Sequence, residues 1–234
     1  MPTAASLVLL TALLPSLALT GQQESGIVNG REAKPHSRPY MVSVQEENQH
    51  ICGGFLVSKS FVMTAAHCLT WVEVKLYHIH PGFNADTLDD DIMLLQLKNA
   101  VKESKKVKLI DLPKRDKDEK PKTVCSVAGW GANKTNGIAS RRLMEANVTV
   151  VDRKVCRKIW GKKPITPRMM CAGGSADNRG FCRGDSGGPL VCKGTAVGVV
   201  SFNARNCDAP KKPNVYTQIS KYLSWIKCII GSTN

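Results

Sequence analysis

Acidic residues are scarce in this chain: 19 Asp and Glu stand against 33 Lys and Arg, leaving a net charge of +14. Aromatic residues are also few, at 6% of the chain, and no recognition helix or RNA-binding motif accompanies the basic residues. Nucleic acid is therefore not the expected target. No Cys-x-x-Cys pair occurs among the nine cysteines, which disfavours metal binding. After the N-terminus no apolar run approaches the roughly 20 residues that a membrane span requires. Internal repeats and low-complexity tracts are absent.

What is present points outward from the cell. Residues 7–19 form an apolar run broken by Pro15, and small residues follow at Ala18, Thr20 and Gly21. This reads as a secretory signal over residues 1–20, although its first residues lack Lys and Arg. Nine cysteines fit an oxidising destination, where they pair as disulfides. Two glycosylation sequons, Asn133 in NKT and Asn147 in NVT, fit the same compartment. Lysines and arginines cluster at Lys105, Lys106 and Lys108, then over 114–122 and 153–163. Such patches suit a sulfated polysaccharide, an acidic protein or an anionic surface; the plainer alternative is a charged face that keeps the protein soluble.

With 234 residues, 42% of them apolar, the chain can build one large domain or a pair of small packed barrels. Short β-branched runs punctuated by Gly, Pro and Asn occur at 40–44, 55–57, 61–64, 92–97, 123–128, 146–151 and 196–202. Their spacing predicts an all-β sandwich or barrel pair. Only residues 219–230 carry apolar side chains at helical intervals, predicting a C-terminal helix. The stretch 107–122, rich in Lys, Asp and Pro, reads as a connector between two halves.

Chemistry concentrates in three motifs. Residues 181–192 read FCRGDSGGPLVC and set Ser186 into a glycine-rich turn; His67 lies in TAAHC, and Asp91 begins DIMLLQL. A serine nucleophile needs a base, an orienting carboxylate and N–H groups to receive the developing oxyanion. In the order His, Asp, Ser, these motifs resemble those of chymotrypsin-fold serine proteases, most closely the granzymes and mast-cell granule proteases, over nearly all of residues 27–234. The resemblance implies two packed antiparallel β-barrels of six-stranded type, over about 27–110 and 123–234, followed by the C-terminal helix. It implies Ser186 as nucleophile, His67 as base, Asp91 as orienter, and the N–H groups of Gly184 and Ser186 as the oxyanion hole. Ser201 would lie near Asp91 and carry the edge along which substrate backbone pairs. Protein or peptide substrates, serpin-type inhibitors, no cofactor and no metal are the corresponding expectations, with storage in granules or secretion.

Residues 27–30, IVNG, resemble the family's mature start, whose freed ammonium pairs with the carboxylate beside the nucleophile, here Asp185. Residues 21–26 would then be an activation propeptide. Gly26 is neither Lys nor Arg, so trimming by an aminopeptidase or dipeptidyl peptidase is expected. The family pattern pairs Cys52 with Cys68, Cys125 with Cys192, Cys156 with Cys171, and Cys182 with Cys207. Cys228 is left over, either a free thiol, expected to be buried, or an intermolecular link. The pocket floor falls on Gly180, with Phe181 as its wall and Asn203 and Asn214 where glycines usually hold the pocket open. These residues predict a shallow, uncharged pocket for small or medium side chains; Arg183 beside it would favour acidic residues elsewhere in the substrate.

One interval departs from the family. His67 and Asp91 are 24 residues apart, against about 45 in the family template, whereas the Asp91 to Ser186 interval of 95 is close to the template's ~93. The missing residues fall between Cys68 and His80, and the first barrel is expected to lack one or two strands. Val72, Val74 and Leu76 alternate on one face while Tyr77 and Ile79 continue on the other, a change of phase. Two alternatives to an active endopeptidase follow: a non-catalytic cationic protein that binds glycans or microbes, and an inactive deletion isoform.

Overall fold

The computed structural model describes residues 26–70 and 72–232. The expected signal and all but the last residue of the expected propeptide lie outside them. From the N-terminus, β1 (Arg31–Glu32) is followed by β2 (Met41–Glu46), β3 (Gln49–Ser58), β4 (Phe61–Thr64), β5 (Leu76–Ile79) and β6 (Met93–Gln96). The second half continues with β7 (Val124–Gly129), β8 (Met144–Val151), α1 (Arg153–Trp160), β9 (Met169–Ala172), β10 (Pro189–Cys192), β11 (Thr195–Phe202) and β12 (Asn214–Gln218). A 3-10 turn at Ile219–Tyr222 leads into α2 (Leu223–Gly231).

Alternation and burial account for the strands. In β8, Met144, Ala146, Val148 and Val150 face inward while Glu145, Asn147 and Thr149 face outward, the period of two expected of a pleated strand with one face on a core. Its outward face carries the Asn147 sequon, exposed to solvent. The β2–β3 turn is made by Glu47 and Asn48, both with positive φ (48° and 64°), a backbone twist that suits a tight hairpin. By contrast β9, β10 and β12 are buried along their whole length. Burial on both faces leaves no alternation to mark these three, although β4 and β6, equally buried, were legible from their apolar runs.

The two halves close differently. In the second, β8-β7-β10-β11-β12-β9 form a chain of neighbours and β8 also pairs with β9, so six strands close into a barrel. In the first, the order is β2-β3-β4-β6-β5, and neither β2 nor β5 has a further partner among the described residues. This is the expected shortening: a five-stranded open sheet lacking the strand that would join β5 to β2. The chain between Cys68 and Leu76 is too short to supply it. Instead Val72 and Val74 fold half-buried onto the first core, and the Tyr77 hydroxyl donates to the carbonyls of Thr70 and Val72. The phase change takes effect there, leaving Leu76 51% exposed and Ile79 37% exposed.

The open half is sealed from behind. Phe55, Phe61, Met63, Ile92 and Leu94 form one core with Val199, Ile219, Tyr222 and Ile226, so second-half strands and the C-terminal helix cover the first sheet. Burying side chains of this size contributes about 1.5–3 kcal/mol each.

The expectation of one helix is corrected by α1. Asp152 caps it, accepting from the N–H groups of Lys154 and Val155, and Cys156 and Trp160, four residues apart, turn inward. Asp152 as cap and Gly161 as stop were visible signals, hidden among the cations of 153–163. The four implied disulfides are present: Cys52–Cys68, Cys125–Cys192, Cys156–Cys171 and Cys182–Cys207. Cys228 is free and exposed on α2, not buried as expected; at its helix position the side chain falls on the outer face, away from Ile226.

Because Leu76 lies on an open edge and packs little, Leu76→Lys should change the unfolding free energy by less than about 0.5 kcal/mol. It should also reduce concentration-dependent aggregation, since edge lysines oppose strand addition. Urea melts and light scattering measure the two effects; a loss above about 2 kcal/mol would contradict this view of the edge.

Candidate active site

His67 sits in a 3-10 turn, Ala66–Cys68, directly after β4, and the Cys52–Cys68 bridge ties that turn to β3. Its backbone N–H donates to Asp91 Oδ1 at 2.9 Å, and its Nδ1 lies 2.7 Å from Asp91 Oδ2. Asp91 has no exposed surface. Its Oδ2 also accepts from the Ser201 hydroxyl at 2.5 Å, and its main-chain carbonyl accepts from Thr217 Oγ1 at 2.8 Å. A buried carboxylate is stable only when donors replace its water. Here two come from His67 in the first half and one from Ser201 in β11, while Thr217 of β12 holds the backbone. Because Nδ1 is committed to Asp91, Nε2 is the free ring nitrogen of His67.

The turn carrying Ser186 runs between the Cys182–Cys207 bridge and β10. The Ser186 carbonyl accepts from Gly53 N–H at 2.7 Å, and Gly187 N–H donates to Val200 O at 2.9 Å. Gly187 has φ 81°, and a Cβ there would lie 2.1 Å from Thr64 Oγ1 and 3.0 Å from Ala65 N. Only glycine lets the Ser186 turn rest on the strand that leads to His67. The structure thus joins His67 to Asp91 directly and lays the Ser186 turn against the residues before His67. Among the described residues no hydrogen bond links the Ser186 hydroxyl to His67.

Asp185 is fully buried. Its carboxylate accepts from Gly131 N–H at 2.8 Å and Cys182 N–H at 2.9 Å. Burial pushes its pKa up to about 7, against the pull of these two donors. Gly26 and Ile27 are buried nearby: a Cβ on Gly26 would lie 2.4 Å from Gly131 O, and Ile27 packs in the second core. Ile27 carries φ 57°, a strained conformation for a β-branched residue.

Two residues that sequence reading passed over support the turn. His50 Nε2 lies 2.8 Å from Gly184 O, and its Nδ1 lies 2.8 Å from Ser43 Oγ; burial lowers its pKa. A single histidine at the start of a strand gives no signal of this role. Thr217 was equally silent, inside a strand with no alternation.

On the pocket side, Asn203 Nδ2 donates to Phe181 O at 2.7 Å. Asn214 is buried, and its Nδ2 lies 1.9 Å from where a Cβ on Gly180 would stand. Phe181 departs from its expected place as a wall: its ring is buried in the second core, edge-on to Tyr216 with centroids 5.2 Å apart. Arg183 is exposed beside the turn. Among the described residues no group of three or more His, Cys, Asp or Glu is placed to hold a metal ion, and no helix is long and apolar enough to cross a membrane.

Comparison with known proteins agrees with this geometry. A family model described as Trypsin matches residues 27–226. Granzyme M of Rattus norvegicus is 39% identical over 252 aligned positions, covering 96% of this chain and 97% of that protein. Those positions outnumber the 234 residues here, so the relative carries residues without a counterpart. Mast cell protease 3 of Ovis aries is 40% identical, covering 94% of this chain and 93% of that protein. The solved structure of neuropsin, described as a serine protease expressed in the limbic system of mouse brain, superposes with a TM-score of 0.82 at 34% identity. That superposition covers 87% of this chain and all of that one.

Thr217→Val removes the donor to the Asp91 carbonyl while preserving shape. It should lower stability by about 1–2 kcal/mol in denaturant melts, the cost of an unsatisfied buried acceptor; an unchanged midpoint would contradict the importance of this bond.

Proposed function

The chain belongs to the trypsin family and is a serine endopeptidase, and on that premise we propose that Ser186, His67 and Asp91 form its catalytic triad. Ser186 attacks the peptide carbonyl, and His67 Nε2 takes its proton and later delivers it to the leaving amine. Asp91 holds the imidazole in the required tautomer and stabilises the imidazolium. The N–H groups of Gly184 and Ser186 receive the oxyanion; losing one such donor raises the barrier by roughly 3–4 kcal/mol. The observation that carries this reading is the buried Asp91 carboxylate bonded to both the N–H and Nδ1 of His67.

Activation rests on Ile27 and Asp185. Trimming to Ile27 by an aminopeptidase or dipeptidyl peptidase creates an ammonium beside a buried carboxyl that otherwise has only backbone donors. Cleavage also releases the φ constraint at Ile27. The resulting ion pair would secure the Gly184–Ser186 turn, since a buried charge requires its partner.

The pocket favours small or medium uncharged side chains, because the Asn214 amide fills the space over Gly180 and the Asn203 amide bonds across to Phe181 O. The exposed cations of α1, with those of 105–108 and 114–122, suit sulfated proteoglycan, and serpin-type inhibitors follow from the family. Secretion or storage in secretory granules fits the N-terminal signal, the disulfides and the two sequons.

Peptide hydrolysis by the chain processed to Ile27 tests the triad. Ser186→Ala should lower kcat by about 10⁴-fold or more without loss of folding, and a variant cleaving at the wild-type rate would overturn the assignment. A library varied at the residue before the scissile bond should rank alanine- to leucine-sized side chains above Lys and Arg.

The uncleaved chain should show a distinct pH dependence. A carboxyl raised from about 3.8 to about 7 on folding binds its proton more tightly in the folded state. Its contribution to stability is therefore full below about pH 4 and is lost as pH rises through 7. Relative to Asp185→Asn, the uncleaved protein should lose stability from about pH 4 to 7. The chain beginning at Ile27 should not, because its ammonium favours the carboxylate. Identical slopes for both forms, measured by denaturation across this range, would contradict the switch.

A further inference from the structure

We propose that Asp90 is a positioning residue: pinned by Arg168 and Tyr222 of the second half, it fixes the turn that aims the Asp91 carboxylate at His67. The inference rests on the triad reading above. Asp90 is 3% exposed; its Oδ1 accepts from Tyr222 OH at 2.8 Å and is ion-paired with Arg168 Nε at 2.7 Å. Its Oδ2 faces His80 Nδ1 at 3.6 Å. The residue has φ 53°, a left-handed conformation that Asp tolerates but that surrounding contacts must hold. Across it, Ile92 N–H donates to Asp90 O at 2.8 Å, closing a three-residue turn with Asp91 at its centre. The direction of the Asp91 side chain follows from that turn.

The rest of the approach to Asp91 is tied the same way. The Asp89 carboxylate accepts from Thr166 Oγ1 at 3.0 Å and from Arg168 Nη2 at 3.3 Å. The Asp86 carbonyl accepts from Lys163 Nζ at 3.2 Å. Lys163, Thr166 and Arg168 all belong to the connection between α1 and β9. Ser201 and Thr217 hold Asp91 itself, also from the second half. The first half contributes β4 and β5 on either side of β6, His80 N–H to Ile92 O at 3.1 Å, and the two bonds from His67 to the Asp91 carboxylate, and that sheet is open at its edges. Asp91 is therefore registered against both halves, and Asp90 is the buried anchor of its registration to the closed barrel. The charged and titratable groups facing Asp90 are Arg168, Asp89, His80 and Tyr222; burial, then Arg168, lowers the pKa of His80 against the pull of Asp90.

The test uses the full chain processed to Ile27, with active sites counted by a covalent serine probe. Removing Arg168 alone leaves the buried Asp90 carboxylate without its cation, so Asp90→Asn and Arg168→Gln are compared singly and combined, the double variant breaking the clamp at unchanged net charge. Positioning predicts that the double variant loses about tenfold or more in kcat per counted site, with KM within twofold. The acid limb of its kcat/KM profile should move to lower pH, because a slack Asp91 stabilises the imidazolium less. A lowered melting temperature with wild-type kcat and an unmoved acid limb would overturn the inference and leave Asp90 a purely structural clamp. A folded wild type that hydrolyses nothing would instead overturn the triad reading and this inference with it.

Discussion

A carboxylate removed from water must find fixed donors, and the arrangement around Asp91 meets that requirement by drawing on both halves of the molecule. His67 supplies its N–H and Nδ1 from the turn after β4, and Ser201 supplies a hydroxyl from β11. The same bonds that stabilise a buried anion bring His67 to the edge of the Ser186 turn. Folding and site assembly are thus linked: an arrangement that kept Asp91 buried but lost its donors from either half would leave a charge unpaired, at a cost of several kcal/mol.

This dependence explains how an incomplete first sheet can still present a site. The residues absent between Cys68 and His80 remove the strand that would close β2 onto β5, yet the bonds to Asp91 itself come from His67, Ser201 and Thr217, none of them on β2 or β5. β4 and β6, which carry the backbone toward His67 and away from Asp91, pair with each other over their full length. Their inner faces share a core with Val199, Ile219 and Ile226. The loss falls on solvent-facing edge positions such as Leu76 and Ile79. Exposed edge and exposed leucine are costs in solubility, and the site does not depend on them.

The sequence carried the chemistry more legibly than the architecture. The motifs around His67 and Asp91 named two residues that the fold bonds to each other, and the motif around Ser186 named a turn that the fold lays against the residues before His67. The interval between His67 and Asp91 disclosed the missing strand, and the phase change at Leu76 and Tyr77 located its scar. Strands β9, β10 and β12 stayed hidden where burial erased alternation and, unlike in β4 and β6, no apolar run was read in its place; α1 was masked by the density of its cations. The supporting contacts of His50, Thr217 and Arg168 were illegible for another reason: each joins segments far apart in the chain, and nothing local marks a residue for a partner roughly 80 to 130 positions away. Cys228 was expected to be buried, but its helix phase turns it outward.

The central claim is that a chain with an open first sheet nevertheless assembles a working Ser186 once its N-terminus is freed at Ile27. Labelling by a fluorophosphonate serine probe tests it directly, with the attachment site read by mass spectrometry. The account predicts that the chain beginning at Ile27 is labelled at Ser186, that the uncleaved chain is labelled far more slowly, and that Asp185→Asn abolishes the difference. A folded chain beginning at Ile27 that takes up no probe would contradict it.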